Sequence, residues 1–265
     1  MKILVLLKYS LDVAEIKVDP ATRELRLAGV PEKVGNIEKN VVEAAVKLKE
    51  SAGGTVQGLT FGPAVAKDGF KDVLAMGVDE VFLIEDPFKG KADPTAVVQV
   101  LDAAIRKLGP FDLVLCGFAS DDGYTYQVGP RLAERLGLPL VSYARRLSVD
   151  GAALTADSDL GEWLETVQTP LPALVSVAEE AFPPRRTTLM DAIKAKKKPV
   201  NIWSVETDLG LTPSALNASG QVESTEEVGV VVQRKKQIWK STNMPELADR
   251  LIDALVAENV LKGGA

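Results

Sequence analysis

Residues 112–136 read Asp112-Leu-Val-Leu-Cys-Gly-Phe-Ala-Ser-Asp-Asp-Gly-Tyr-Thr-Tyr-Gln-Val-Gly-Pro-Arg-Leu-Ala-Glu-Arg-Leu136. The apolar residues up to Cys116 predict a buried strand, and the pattern from Arg131 onward predicts a helix. A polar loop with several glycines separates the two elements. This order is typical of an α/β fold with a parallel sheet, in which such a loop lies at the carboxyl edge of the sheet.

The same loop predicts a binding site for an anion. The first N–H groups of a helix have no partner inside the helix and carry the positive end of its dipole, so they favour phosphate. We therefore expect the backbone N–H groups of residues 126–129 to bind the phosphate of a nucleotide. We expect the hydroxyl groups of Ser120 and Thr125 to assist them.

Aliphatic runs and helical patterns alternate along the first half of the chain. The runs predict strands at residues 3–7, 56–61, 80–84, 113–116 and 138–141. The helical patterns predict helices at residues 37–51, 64–76, 94–108 and 127–136. Strands that are apolar on both faces are typical of a parallel sheet covered by helices on both sides. The sequence therefore predicts a doubly wound, mostly parallel α/β sheet, a Rossmann-like fold of the adenine-nucleotide-hydrolase type.

Two further regions depart from this alternation. Residues 15–18 and 24–27 alternate polar and apolar side chains, which predicts a hairpin inserted between the first strand and the first helix. Later in the chain, residues 152–156 and 163–167 predict antiparallel strands, and residues 173–178 predict one more buried strand. The first crossover is therefore unusually long, and the sheet gains an antiparallel extension.

The C-terminal part predicts a different kind of structure. Residues 206–240 are rich in Ser, Thr, Glu and Gly and lack a helical stripe, so we expect an extended arm. The arm ends in a helix whose apolar face is formed by Leu247, Leu251, Ile252, Leu255 and Val256. That face must be buried either on the protein's own core or on a second subunit, and the pattern leaves both open. We therefore expect an α/β domain at residues 1–205 and an arm with a terminal helix at residues 206–265.

Composition excludes several classes of function. The net charge of −6 disfavours binding to nucleic acid. The chain has no histidine and one cysteine, which excludes a Ser-His-Asp triad and disfavours a metal site, so we predict no catalytic side chain and no metal. No apolar run approaches the roughly 20 residues that span a bilayer, and no signal peptide precedes the first strand. We therefore expect a cytoplasmic protein that does not insert into a membrane.

The predicted fold places the candidate site in a crevice. Ligands of doubly wound sheets bind at the carboxyl ends of the strands, where the strand order reverses. With the first strand in the centre, the loops after Leu7 and Cys116 would face each other, and Lys8 would lie between them. The chain has no G-x-x-x-x-G-K-[ST] motif and no G-x-G-x-x-G motif after the first strand. This predicts nucleotide binding without turnover and disfavours an adenylate-transferring enzyme.

These residues also support a family assignment. The chain resembles the β subunit of electron transfer flavoprotein over nearly its whole length. The resemblance rests on the order and spacing of several segments, which are Lys2–Lys8, Ile16–Pro20, Val42–Glu50, Gly62-Pro63, Ala75–Gly77, Thr125–Pro130, Pro184–Leu189 and Ala192–Lys198. One departure from the family pattern is Tyr124, which stands where an acidic residue is usual.

The resemblance implies a heterodimer with an α subunit that carries a redox-active FAD. The site in the β subunit is implied to hold AMP or, in the electron-bifurcating branch, a second FAD, and the ending Gln127-Val-Gly-Pro130 favours FAD. The backbone at Leu6 and Lys8 would contact the adenine side. The complete set of expected nucleotide contacts is Leu6, Lys8, Asn36, Phe61, Gly62, Ser120, Asp122, Thr125, Tyr126, Gln127, Val128 and Gly129.

The resemblance further implies a partner-recognition loop near residues 182–191. Leu189 would insert into a hydrophobic pocket of a client dehydrogenase, and Arg185 would belong to a basic rim around it. The implied function is the transfer of electrons between dehydrogenases and an acceptor, with bifurcation from NADH as an extension of that function. The alternative is a stand-alone AMP- or ATP-binding sensor without redox activity.

Overall fold

The computed structural model describes residues 1–88, 90, 92–217 and 236–261. The strands are β1 Lys2–Leu7, β2 Tyr9–Leu11, β3 Lys17–Val18, β4 Leu25–Arg26, β5 Glu32–Val34, β6 Thr55–Gly62, β7 Glu80–Glu85, β8 Leu113–Gly117, β9 Leu140–Asp150, β10 Ala153–Asp159, β11 Leu164–Pro170, β12 Ala173–Val177 and β13 Val200–Ser204. The α-helices are α1 Asn36–Ala52, α2 Lys71–Met76, α3 Pro94–Leu108, α4 Val128–Leu136, α5 Leu189–Ala195, α6 Pro213–Asn217 and α7 Met244–Ala257. These residues form two compact units, one of residues 1–17 and 26–217 and one of residues 18–25 and 236–261.

The larger unit contains a nine-stranded sheet in the order β11-β10-β9-β12-β8-β1-β6-β7-β13. Seven neighbouring strands of this sheet are parallel, in the order β9-β12-β8-β1-β6-β7-β13. The remaining two, β10 and β11, pair in antiparallel fashion beside β9. β1 is paired with β6 on one side and β8 on the other. The doubly wound, mostly parallel α/β fold is therefore confirmed, with the first strand in the centre as predicted.

Two apolar layers cover the sheet. One contains Val41 and Val42 of α1 and Val73 and Leu74 of α2, packed against the sheet residues of that face. The other contains side chains of α3, α4 and α6 against the opposite face. Burial of sheet and helix side chains on both faces supplies the main stabilising term of this architecture.

The helix ends follow the sequence signals. Asp93 begins α3, because its Oδ1 accepts a hydrogen bond from the N–H of Ala96 at 2.7 Å and Pro94 occupies the first turn. Gly137, in the left-handed region with a φ of 67°, ends α4. The inserted hairpin is also present, as the pair β3 and β4.

Four expectations need correction. The predicted helix at residues 64–76 is a 3-10 helix, Ala64–Phe70, followed by the short α2. The strand expected at residues 138–141 begins at Leu140, because Gly137 ends the helix and Pro139 follows it. β13 is missing from the predicted set. It pairs with β7 at the edge of the sheet.

The fourth correction concerns where the core ends. An arm is expected from residue 206, but Val205 and Leu216 are buried in the layer formed with α3 and α4. The core therefore extends at least to Leu216. Most of the expected arm, residues 218–235, lies outside the described residues.

The smaller unit contains α7. Asn243 begins this helix, and its side chain accepts a hydrogen bond from the N–H of Glu246. None of the residues of α7 is buried, and Leu251, Ile252 and Val256 of the predicted apolar face are exposed. Among the described residues, no helix is both long enough and apolar enough to cross a bilayer.

Candidate functional site

A cavity of about 330 Å³ lies at the carboxyl ends of β1, β6 and β8. We call it the crevice cavity. It occupies the place where the strand order reverses, since β6 follows β1 on one side of the sheet and β8 lies on the other. Apolar side chains line one part of the cavity, among them Leu6, Phe61, Val97 and Leu101. The loop after β8 supplies polar lining residues. This combination is typical of a site for a small organic ligand.

The start of α4 opens into the crevice cavity. Gln127 is the N-cap residue of the helix, and its side chain makes no capping hydrogen bond. In the part of the chain that the structure describes, the N–H groups of Gln127, Val128 and Gly129 donate no hydrogen bond. All three residues line the cavity. The unpaired donors and the helix dipole together suit the binding of a phosphate group.

Gly129 allows α4 to begin close to β8. A Cβ at this position would lie 2.9 Å from Sγ of Cys116 and otherwise make only ordinary contacts with Leu174 and Ser176. Burial raises the pKa of the Cys116 thiol to about 12, so this thiol is neutral and serves as a small core group. The close approach of helix and strand depends on the missing side chain at Gly129.

One ion pair lies in the polar wall. Nζ of Lys8 is 2.7 Å from Oδ1 of Asp122 and 3.5 Å from Oγ of Ser120. Burial by itself would raise the pKa of Asp122, but the hydrogen bonds from Lys8, Ser120 and the N–H of Gly123 outweigh burial and lower it. Asp122 is therefore a carboxylate that holds Lys8 at the mouth of the site.

The residue that sequence reasoning missed is Glu38 in the first turn of α1. It lines the crevice cavity, although it is only 4% exposed. Burial raises the pKa of its carboxyl to about 8, and the charges of Asp121 and Asp122 act in the same direction. A glutamate in the first turn of a helix is commonplace, so no signal in the sequence marks this one as buried.

Aromatic rings form a second group beside the cavity. The ring of Phe118 lies 5.8 Å from that of Tyr126 and 5.7 Å from that of Tyr124, and both Phe118 and Tyr126 line the cavity. The two tyrosines adopt left-handed φ values of 47° and 60°, which are uncommon for aromatic residues. The ring of Phe118 makes interplanar angles of 88° with that of Tyr124 and 47° with that of Tyr126, so the rings form a tilted apolar group beside the start of α4.

The structure brings most of the predicted site residues together. The predicted residues that line the crevice cavity are Leu6, Lys8, Phe61, Ser120, Asp122, Thr125, Tyr126, Gln127, Val128 and Gly129. Asn36 and Gly62 do not line it. The N–H of Asn36 donates instead to Oδ2 of Asp121 at 3.1 Å, and Gly62 is the last residue of β6. Among the described residues, no group of three or more His, Cys, Asp or Glu side chains is placed to hold a metal ion.

The 182–191 loop lies against α1. The N–H of Phe182 donates to Oδ1 of Asn40 at 3.0 Å. Nε of Arg185 lies 2.8 Å from Oε2 of Glu43, and its Nη2 lies 2.9 Å from Oε2 of Glu50. Because the side chain of Glu43 is only 4% exposed, this arginine neutralises a buried carboxylate. The guanidinium of Arg185 is therefore paired within the chain, and its ion pairs with Glu43 and Glu50 hold the loop against α1.

The end of this loop presents apolar side chains. Thr188 begins α5 with a reciprocal cap, in which its Oγ1 accepts from the N–H of Asp191 and its own N–H donates to Oδ2 of Asp191 at 2.9 Å. Leu189 follows and is 78% exposed, and Met190 and Ile193 are also exposed. A rigid cap therefore holds an exposed leucine at a fixed place on the surface.

Comparison with known proteins gives one consistent answer. The model of the electron transfer flavoprotein domain family matches residues 25–208. An electron transfer flavoprotein subunit beta of Thermoanaerobacterium thermosaccharolyticum is 32% identical over 98% of this chain and 100% of its own length. The caffeyl-CoA reductase-Etf complex subunit CarD of Acetobacterium woodii is 36% identical over 83% of this chain and 84% of its own length. Protein FixA of Azorhizobium caulinodans is 32% identical over 97% of this chain and 93% of its own length.

Proposed function

The chain belongs to the electron transfer flavoprotein family, among its β subunits, and we propose that it pairs with an α subunit to carry electrons between dehydrogenases and an acceptor. The observation that carries the proposal is the crevice cavity with its unpaired N–H groups at the start of α4. These donors suit a nucleotide phosphate, and the apolar wall suits its base. No side chain of this chain needs to act as an acid, base or nucleophile.

We further propose FAD as the redox cofactor of the heterodimer and a second FAD, in preference to AMP, as the occupant of the crevice cavity. The rings of Phe118 and Tyr126 support this choice, because aromatic side chains in the cavity wall offer contact to a second ring system beyond the adenine. A bound flavin would supply the electron-transfer chemistry, while the residues of this chain bind, orient and shield it.

Electron bifurcation is the finer part of this proposal. It would require the residues of the crevice cavity to hold a flavin, which would supply the chemistry for oxidising NADH and for sending the electrons along separate routes. The similarity to the Etf-complex subunit CarD supports it. The identity of the nucleotide therefore decides between a bifurcating and a non-bifurcating subunit.

Two surfaces are proposed for partners. Leu189 is the anchor for a client dehydrogenase, supported by its exposure and by the rigid cap at Thr188. The exposed apolar face of α7 is the surface that packs on the α subunit. We propose that Arg185 positions the Leu189 surface through its ion pairs with Glu43 and Glu50 and makes no direct charge contact with the dehydrogenase.

The test is to co-express this chain with its α subunit and to count flavins per heterodimer. Mass spectrometry of the nucleotides released on denaturation identifies the occupant of the crevice cavity. We expect two FAD molecules per heterodimer. One FAD with one AMP would retain the electron-carrier function and overturn bifurcation. A colourless chain that remains monomeric beside its partner would overturn the whole proposal.

The relatives do not support a stand-alone sensor, and a truncation separates the two functions. Because the core extends at least to Leu216, the deletion should remove only residues 236–265. A heterodimer subunit loses its α partner on this deletion and keeps its folded core. A sensor would keep both its nucleotide affinity and its monomeric state, before and after the deletion.

A further inference from the structure

Glu38 is a buried acid in the wall of the crevice cavity. Among the described residues its carboxyl has no side-chain partner, and its one hydrogen bond comes from its own N–H. A Cβ at Gly35 would collide with carboxyl oxygens of both Glu38 and Asp121, so the two acids pack against the same glycine. A buried carboxyl without a cation partner is costly unless it is neutral or bound to a ligand.

Burial is the main reason that the pKa of Glu38 is raised, and the surrounding charges modify it. Asp121 and Asp122, from the loop after β8, both oppose its ionisation. Lys8, at the end of β1, favours ionisation but is already paired with Asp122 at 2.7 Å. The N–H of Glu38 itself favours the charged form of the carboxyl, as does the dipole of α1. Burial outweighs both effects and raises the pKa. The thiol of Cys116 in the same wall is neutral.

We propose that Glu38 binds the nucleotide as a neutral carboxylic acid, which donates a hydrogen bond to an oxygen of the ligand. This inference rests on the proposed nucleotide site. A nucleoside phosphate brings negative charge into a wall that already holds Asp122, with the charge of Asp121 acting on Glu38 from beside it. If the carboxyl of Glu38 were ionised, it would repel that charge, whereas the neutral acid supplies a hydrogen-bond donor without repulsion.

The proposal makes nucleotide binding depend on one proton. With a pKa of about 8, Glu38 is mostly protonated at pH 7 and mostly ionised at pH 9. Ligand binding should then draw a proton onto Glu38 above pH 8. We expect the affinity to fall about tenfold between pH 7 and pH 9, because the binding-competent fraction falls by that factor.

The decisive comparison is between the wild type and Glu38→Gln. A glutamine amide is neutral at every pH and keeps a hydrogen-bond donor in nearly the same volume. The experiment strips the nucleotide from the heterodimer and titrates AMP and FAD separately by calorimetry at pH 7 and pH 9, at one ionic strength. Repeating the titrations in two buffers of different ionisation enthalpy gives the number of protons taken up. Glu134→Gln, an exposed acid on α4, is the matched control.

The expected result is a pH-dependent affinity with proton uptake in the wild type and in Glu134→Gln, and a flat affinity without uptake in Glu38→Gln. Equal pH dependence in the wild type and Glu38→Gln would overturn the inference. Loss of affinity in Glu38→Gln at pH 7 would also overturn it, because Glu38 would then bind as a carboxylate. Proton uptake by the wild type tests the inference even if the variant does not fold. Failure of AMP and FAD to bind the wild type at either pH would overturn the nucleotide site itself.

Discussion

The crevice cavity and the 182–191 loop differ in the kind of group that they offer to a proposed partner. In the cavity, unpaired backbone N–H groups of the described residues lie at the start of α4, and Gly129 leaves room for that helix to begin close to β8. In the 182–191 loop, the exposed side chain of Leu189 is presented by a segment that the ion pair of Arg185 with the buried Glu43 holds in place.

This difference predicts where each region is sensitive to mutation. The part of a site that is made of backbone donors is disturbed when the helix that carries them is displaced. A site made of one exposed side chain is lost when that side chain is removed or when its anchor is cut. Three substitutions test this comparison, taken from the largest expected effect to the smallest.

The largest effect is expected for Arg185→Ala. The substitution leaves the carboxylate of Glu43 buried without its cation, which costs about 3 kcal/mol of stability. Thermal and urea unfolding of the heterodimer measure this loss. Arg186→Ala is the control, because Arg186 is the exposed neighbour and should change stability by less than about 0.5 kcal/mol. Equal losses in the two variants would show that the ion pair does not anchor the loop.

An intermediate effect is expected for Leu189→Ala. Because Leu189 is exposed, its removal should leave stability and bound nucleotide unchanged. The rate of electron transfer from the client dehydrogenase at limiting concentration should fall roughly 30-fold, which corresponds to about 2 kcal/mol of contact energy. Val65→Ala, at another exposed apolar residue, should have no such effect. A normal rate in Leu189→Ala would remove the leucine from the interface.

The smallest effect is expected for Gly129→Ala. The new Cβ would lie 2.9 Å from Sγ of Cys116 and would push the start of α4 away from β8. We expect the nucleotide affinity to fall about fivefold, since the N–H donors move by a fraction of an ångström. The double variant Gly129→Ala with Cys116→Ala should recover the affinity, because it removes the clashing sulfur. Absence of this recovery would show that the helix position is set elsewhere.

Much of the fold was predictable because its signals are local. The strands β1, β7 and β8 contain continuous apolar runs, and Asp93 and Gly137 mark helix ends through contacts within a few residues. The polar loop that leads into α4 was predictable for the same reason, because a helix start needs only the residues that form it, whereas its binding of phosphate stays a prediction.

The failures have a common cause. β13 is short, contains Asn201 and Ser204, and is recognisable as a strand only through its pairing with β7. Residues 206–216 have the composition of an arm, yet Leu216 is buried in the apolar layer that contains side chains of α3 and α4. In each case a distant partner supplies the stabilisation that the local sequence lacks.

By itself the sequence determined most of the elements, the central position of the first strand and the place of the polar loop before α4, because hydrophobic periodicity and helix caps act over a few residues. The tertiary structure alone decided that β12 enters the sheet between β8 and β9, that Glu38 is buried in the cavity wall and that Arg185 pairs with Glu43 across 142 residues of chain. Burial and ion pairing depend on which distant residues meet, and the free energy of a charge depends on that environment.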